Sequence, residues 1–167
     1  MTALTLRPRE HARLIVAAMT LLAAPLAAQL RRTSPPSLPP TGGRYEHIVT
    51  AELPPGSRLV VIAGQVGADS TGRIVSTDPT EQMRLAYHNL ERALRLAGGT
   101  WSDVLKTTTI LTRATDIAAL REFRATRFAN RPAPANTLIV AQALYDPAVL
   151  FEVEALAVIP GGRPRAR

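Results

Sequence analysis
The run VLFEVEALAVI, Val149 to Ile159, constrains the fold more than any other stretch of the chain. On an extended backbone Phe151, Val153, Ala155 and Ala157 fall on one side, and Leu150, Glu152, Glu154, Leu156 and Val158 on the other. A helix does not sort residues with a period of two, so this is a strand. Its first side is wholly apolar and must be covered. Its second side passes from two carboxylates into Leu156 and Val158, so part of that face needs cover as well. The fold therefore depends on what the rest of the chain can lay against each face.

The remaining elements read in order. RYEHIVTAE, Arg44 to Glu52, alternates weakly, LPPGS turns, and RLVVIAGQV, Arg58 to Val66, is nearly continuous in apolar character. These predict two antiparallel strands joined as a hairpin. GADSTGR makes a further turn before Ile74 and Val75. Asp78 as N-cap, Pro79 at the first helical position and Glu81 three residues after the cap open a helix. Met83, Ala86, Leu90, Ala93, Leu94 and Ala97 form its apolar stripe, and Gly98 and Gly99 end it. VLKTTTILT, Val104 to Thr112, is a strand by its β-branched composition. A second helix starts near Asp116, with Ile117, Leu120, Phe123 and Phe128 on its apolar side, Arg121, Arg124 and Arg127 on a neighbouring one, and NRPAPA as its stop. NTLIVAQAL, from Asn136, and the run above are the last strands.

The order ββαβαββ predicts an α+β domain with two helices on one face of a single sheet. No third helix remains for the other face, so its apolar residues are expected to be buried against further copies of the chain.

Ahead of the domain, Arg7, Arg9 and Arg13 precede the apolar run Leu14 to Ala27, which ends in small residues. This is the layout of a secretory signal peptide cut after Ala28. The expected organisation is a signal peptide over 1–28, a Pro/Gly-rich linker over 29–43, the domain over 44–160 and a basic tail over 161–167. The product is expected to be exported, periplasmic or secreted, without stable membrane association after cleavage. Removing three arginines and one glutamate from 20 basic and 13 acidic residues leaves 17 and 12, a net charge of +5. The cations are scattered and aromatics make up only 4% of the chain, so nucleic acid is not an expected partner. The absence of cysteine excludes disulfides, a thiol nucleophile and Cys-based zinc sites.

Few residues can carry chemistry. His11 lies in the leader, and His47 and His88 lack ligand spacing, so no metal is expected. AGQVGADSTG follows a strand but has neither a phosphate-loop lysine nor dinucleotide-site spacing. Glu152 and Glu154 share a strand side about 6 to 7 Å apart by strand rise. Such a pair is either a solvent-facing stripe or two groups flanking a water, where one activates what the other orients.

The strings VIAGQVGAD, STDPTEQMRLAYHNLERALRLAGG, TWSDVLKTTTILT and FEVEALAV, in order over about Gly43 to Pro160, resemble the RidA/YjgF reactive-intermediate deaminase family. The resemblance implies a chorismate-mutase-like domain, a homotrimer around a central barrel, ligand clefts between subunits and no cofactor. It also implies hydrolysis of 2-imino acids to 2-keto acids and ammonia, with Glu152 positioning the water and Tyr45 and Gly64 shaping the pocket. In the active branch an arginine in a Pro-Ala-Arg-Ser motif grips the substrate carboxylate, but this chain reads Pro134-Ala135-Asn136-Thr137. Asn136 and Thr137 are then the polar groups offered to the ligand. Arg121 falls where the active branch has asparagine, and is a candidate to supply the cation from another direction. Two functions follow: a protein that binds a small carboxylate or carbonyl compound in its clefts and hydrolyses an imine, enamine or related substrate through a water oriented by Glu152, or a non-catalytic ligand-binding or scaffold trimer. Action on RNA, which the resemblance also implies as an option, ranks last for an exported chain.

Overall fold
The computed structural model describes residues 30–163; the expected signal segment and the last residues of the basic tail lie outside them. The elements are β1 (Leu30–Thr33), β2 (Ile48–Ala51), β3 (Arg58–Val66), α1 (Pro79–Leu96), β4 (Val104–Leu111), α2 (Ile117–Arg127), β5 (Ala135–Val140) and β6 (Phe151–Ile159). Four strands form a mixed sheet in the order β3-β6-β4-β5. β6 runs antiparallel to both neighbours, and β4 and β5, joined through α2, are parallel.

α1 begins as its sequence dictates. The Asp78 carboxylate accepts the Glu81 amide at 2.7 Å, and Pro79 takes the first position, where no N–H is needed. At its other end Gly98, with φ of 83°, turns the chain left-handed and closes two bonds, Gly98 N to Arg95 O at 2.8 Å and Gly99 N to Leu94 O at 2.9 Å. Met83, Ala86, Tyr87, Leu90 and Leu94 are fully buried against the apolar side of β6, where Phe151, Val153 and Ala157 are also fully buried. Tyr87 is central: its ring stacks 5.7 Å from Trp101 and 5.9 Å from Phe151, with Phe123 of α2 tilted at 5.1 Å. Aromatic contacts of this kind add about 0.5 to 1.5 kcal/mol each beyond the area they bury.

Gln82 ties this helix to the approach of β6. Fully buried, it donates to Ser76 O at 2.7 Å and Ala148 O at 2.8 Å and accepts from Leu150 N at 2.8 Å, so every group it brings inside is matched. Gly67 lets the chain pass beneath it, since a Cβ there would lie 2.7 Å from Gln82 Cα.

Among the described residues the opposite sheet face is left uncovered. Leu59 is 67% exposed, Val61 72% and Leu156 38%, and Lys106, Thr108 and Glu154 share that side. Full burial of such side chains is worth about 1.5 to 3 kcal/mol each.

Two expectations need correction. The hairpin between Arg44–Glu52 and Arg58–Val66 does not form: β2 pairs with β1 in a separate two-stranded sheet, and its approach touches the main sheet through a parallel bridge, Glu46 to Ala135. The two helices still pack on the four-stranded sheet as expected, with β1 and β2 forming a small ribbon beside it. Alternation marks a strand but not its partner, and the Pro54-Pro55 loop does not force a tight reversal. Secondly, β1 lies inside the segment expected to be a structureless linker. Arg32 fastens it by donating to Ser102 O at 2.9 Å and Val104 O at 3.2 Å.

Candidate functional site
Glu152 sits near the start of the central strand β6, opposite Val66 on one side and Ile110 on the other. On β3 the register slips between Ile62 and Gln65, and Gly64 lies in that bulge. A Cβ on Gly64 would fall 1.7 Å from Glu152 Oε1 and 2.4 Å from its carboxyl carbon. The carboxylate therefore occupies the space that Gly64 leaves by having no side chain. Among the described residues no hydrogen bond reaches the Glu152 carboxylate, which leaves its oxygens available to a water or ligand. Partial burial raises its pKa above the usual carboxylate value, and the neighbouring charge of Glu154 raises it further. A carboxylate tuned upward in this way is suited to taking a proton from water.

Asn136 is elsewhere. Parallel register sets it beside Thr107, with Thr109 two residues further along β4. Thr107 Oγ1 donates to Asn136 Oδ1 at 2.8 Å, and Asn136 Nδ2 donates to Thr109 Oγ1 at 3.3 Å. Both threonines are fully buried on the helix side of the sheet. Thr107 and Ile110 are an odd number of residues apart on β4, so Asn136 and Glu152 lie on opposite faces. Thr137, exposed and opposite Thr108, points away from Asn136 towards the open face. Tyr45 packs edge-on to His47 at 5.3 Å, next to the Glu46–Ala135 bridge and so at the foot of β5. Arg121 is exposed on α2 and has no ion-pair or hydrogen-bond partner among the described residues.

The sequence candidates thus fall into two groups. Glu152 and Gly64 are in direct contact at the β3–β6 bulge; Asn136 and Tyr45 are associated with edge strand β5, whose outer side carries, among the described residues, the isolated Glu46–Ala135 bridge but no further strand. One chain does not bring the two groups together. A cleft of about 360 Å³ begins at Gly64 and runs past Gln65 and Val66 to Asn89 and Arg92 of α1. Another, of about 440 Å³ beside Trp101 and Arg131, contains none of the candidates, and its chemistry gives no reason to prefer it. Among the described residues no cluster of His, Asp and Glu has the makings of a metal site.

Sequence reasoning assigned Arg124 to a polar helix face, whereas it is only 3% exposed. Its Nε and Nη2 donate to Arg44 O at 3.1 and 2.9 Å, and its Nη1 to Tyr87 Oη and, at 3.4 Å, to Thr107 Oγ1. The signal was present: Arg124 stands midway between Leu120 and Phe128 at helical spacing, interrupting an apolar stripe. Arg127 lies 4.6 Å over the Trp101 ring and pairs with Glu91 at 3.0 Å.

A family profile described as Endoribonuclease L-PSP matches residues 37–159. A rat protein named 2-iminobutanoate/2-iminopropanoate deaminase is 30% identical over 122 residues, covering 70% of this chain and 80% of the rat protein. The Drosophila melanogaster RutC family protein UK114 is 33% identical over 116 residues, 68% of this chain and 78% of its own. In structure, the conserved Rid-family protein YyfB of Yersinia pestis superposes with a TM-score of 0.70 at 30% identity, over 77% of this chain and 97% of YyfB. Escherichia coli TdcF with bound serine gives 0.56 at 28% identity, over 64% and 84%.

Proposed function
Because the chain belongs to the RidA/YjgF family, with relatives named imine deaminases, we propose that it hydrolyses a small imine or enamine in a cleft completed by a second copy of itself. The observation that carries this reading is the Gly64–Glu152 contact, where a glycine at a strand bulge reserves space for one carboxylate of raised pKa. Glu152 would accept a proton from water as the oxygen adds to the imine carbon, and return a proton to the nitrogen. It then takes the hydroxyl proton of the resulting carbinolamine and passes it to the same nitrogen, so that the C–N bond breaks as the C=O bond forms, leaving a carbonyl compound and ammonia.

A second copy would bring the edge-strand group, Asn136 with Tyr45, towards the Glu152 group of its neighbour, leaving Arg121 on the outer helix. The uncovered Leu59, Val61 and Leu156 supply the apolar area for such association, and we take the assembly to be a trimer. Asn136 stands where the active branch of the family has its carboxylate-gripping arginine. A neutral amide in place of a bidentate guanidinium forfeits about 1 to 2 kcal/mol, roughly tenfold in affinity or more, so turnover of ordinary 2-imino acids should be weak. A less acidic carbonyl-derived substrate fits better. We also keep the reading that the protein is exported. It is checked by the N-terminal mass of material from a bacterial periplasm, with Gln29 expected as the first residue.

The deciding experiment is hydrolysis of freshly generated 2-iminobutanoate by residues 29–167, by Glu152→Gln and by Asn136→Arg, read as ammonia release. Weak native turnover, lost in Glu152→Gln and raised in Asn136→Arg, supports the proposal. A Glu152→Gln variant as active as its parent rejects it. The tying of Asn136 to Thr107 and Thr109 favours one second reading, a binding module without turnover. That reading is selected if ligands raise the melting temperature and no ammonia forms with any imine.

A further inference from the structure
Arg124 is a buried cation that, among the described residues, faces no carboxylate. A guanidinium only donates. Thr107 Oγ1, accepting Arg124 Nη1 at 3.4 Å, therefore keeps its own hydrogen to give, and gives it to Asn136 Oδ1 at 2.8 Å. On the other side Thr109 Oγ1 accepts Asn136 Nδ2 at 3.3 Å and passes its single hydrogen to Thr137 O, also at 3.3 Å. Thr109 Oγ1 lies 3.4 Å from Asn136 Oδ1 as well, but it has no second hydrogen to offer. The donors thus run one way, from Arg124 through Thr107 and Asn136 to Thr109 and the β5 backbone.

From this chain we infer that Arg124 and Thr107 are positioning residues that hold the Asn136 carbonyl inward, so that the residue presents an N–H to a ligand and not an oxygen. Turning the amide over would set Nδ2 against Thr107 and strand that buried hydroxyl hydrogen, which keeps the flipped form below about one part in ten. One Nδ2 hydrogen is used by Thr109. The other has no partner among the described residues, and Asn136 is half-buried at the sheet edge, open to an incoming group. The ligand class follows: a small molecule that places a pure acceptor, a carboxylate or carbonyl oxygen, against Asn136. The positive charge stays behind Thr107, so an anionic acceptor is accommodated but not clamped, and a neutral one is taken comparably. This inference rests on the cleft reading above and names the chemistry that the cleft selects.

The test uses two probes of similar shape. 2-Oxobutanoate offers only acceptors at its acid end, whereas 2-oxobutanamide can also turn an N–H towards a carbonyl. Thr107→Val keeps the volume of residue 107 and removes the hydrogen that fixes Asn136. In calorimetric titration this variant should bind 2-oxobutanoate about fivefold more weakly than the parent and 2-oxobutanamide less than twofold more weakly. Thr107→Ser should restore the parent ratio, and Arg124→Met should repeat the shift where it folds. Equal weakening of both probes, or of neither, overturns the inference while leaving the cleft reading intact. If the parent binds neither probe the cleft reading falls, and orientation is judged without ligand. The Asn136 side-chain amide resonances must then move in Thr107→Val and return in Thr107→Ser, and unchanged resonances overturn the inference.

Discussion
Gly64→Ala should slow hydrolysis on the order of 100-fold while barely touching the fold. The added methyl carbon would begin 1.7 Å from Glu152 Oε1 and 2.9 Å from Cγ, and Gly64 is not among the glycines with positive φ. The backbone can therefore accept alanine, and the conflict falls on the carboxylate alone. To reach ordinary van der Waals distance that group must retreat by about 1.5 Å, and a displacement of about 1 Å at a reacting group can cost on the order of 100-fold in rate. The half-buried glutamate can swing aside at small cost, so the melting temperature should change by only a few degrees. Ammonia release from 2-iminobutanoate or a better imine substrate, measured beside a thermal melt, checks both halves. A Gly64→Ala protein within threefold of parental kcat would refute the claim that this contact positions the water-handling group. A large loss of melting temperature would show that the glycine serves the sheet and not the carboxylate.

Four further outcomes follow from particular residues. Glu152 has a pKa raised by folding, so its protonated form favours the native state; its contribution is fully present below the ordinary carboxylate range and is lost as pH rises through the raised value. Glu152→Gln should accordingly gain in melting temperature relative to the parent over that rise, and Glu154→Gln, by removing a neighbouring charge, should move the acid limb of the rate profile to lower pH. Gln82→Leu strands the Ser76 and Ala148 carbonyls and the Leu150 amide in the interior and should destabilise by about 2 to 4 kcal/mol, read from denaturant midpoints. Val61→Glu places a charge on the open sheet face and should convert a trimer to monomers in light scattering at low micromolar concentration; a monomeric parent would remove the trimer proposal.

Much of the fold is legible in local pattern. Asp78, Pro79 and Glu81 set the start of α1, Gly98 sets its end, and the alternation of residues 151–159 defines the central strand, because caps and periodicity act within a few residues of themselves. Two helices against a strand with two demanding faces also made the uncovered sheet side deducible, and the structure leaves Leu59 and Val61 exposed there. Pairing was not legible. β2 chose β1 over β3, and β1 came from a segment whose prolines read as linker, because a strand's partner is set by the path of the whole chain.

The site divides in the same way. Sequence supplied Glu152, Gly64 and Asn136 as names, and the family resemblance supplied their expected roles. Only the tertiary structure puts the Glu152 carboxylate into the space beside Gly64, sets Asn136 on the opposite face, and buries Arg124 behind it. Those facts depend on a strand bulge, on a parallel register and on a helix docking across residues far apart in the chain. A residue's type fixes what bonds it can make; which bonds it does make is decided by the neighbours that long-range packing delivers.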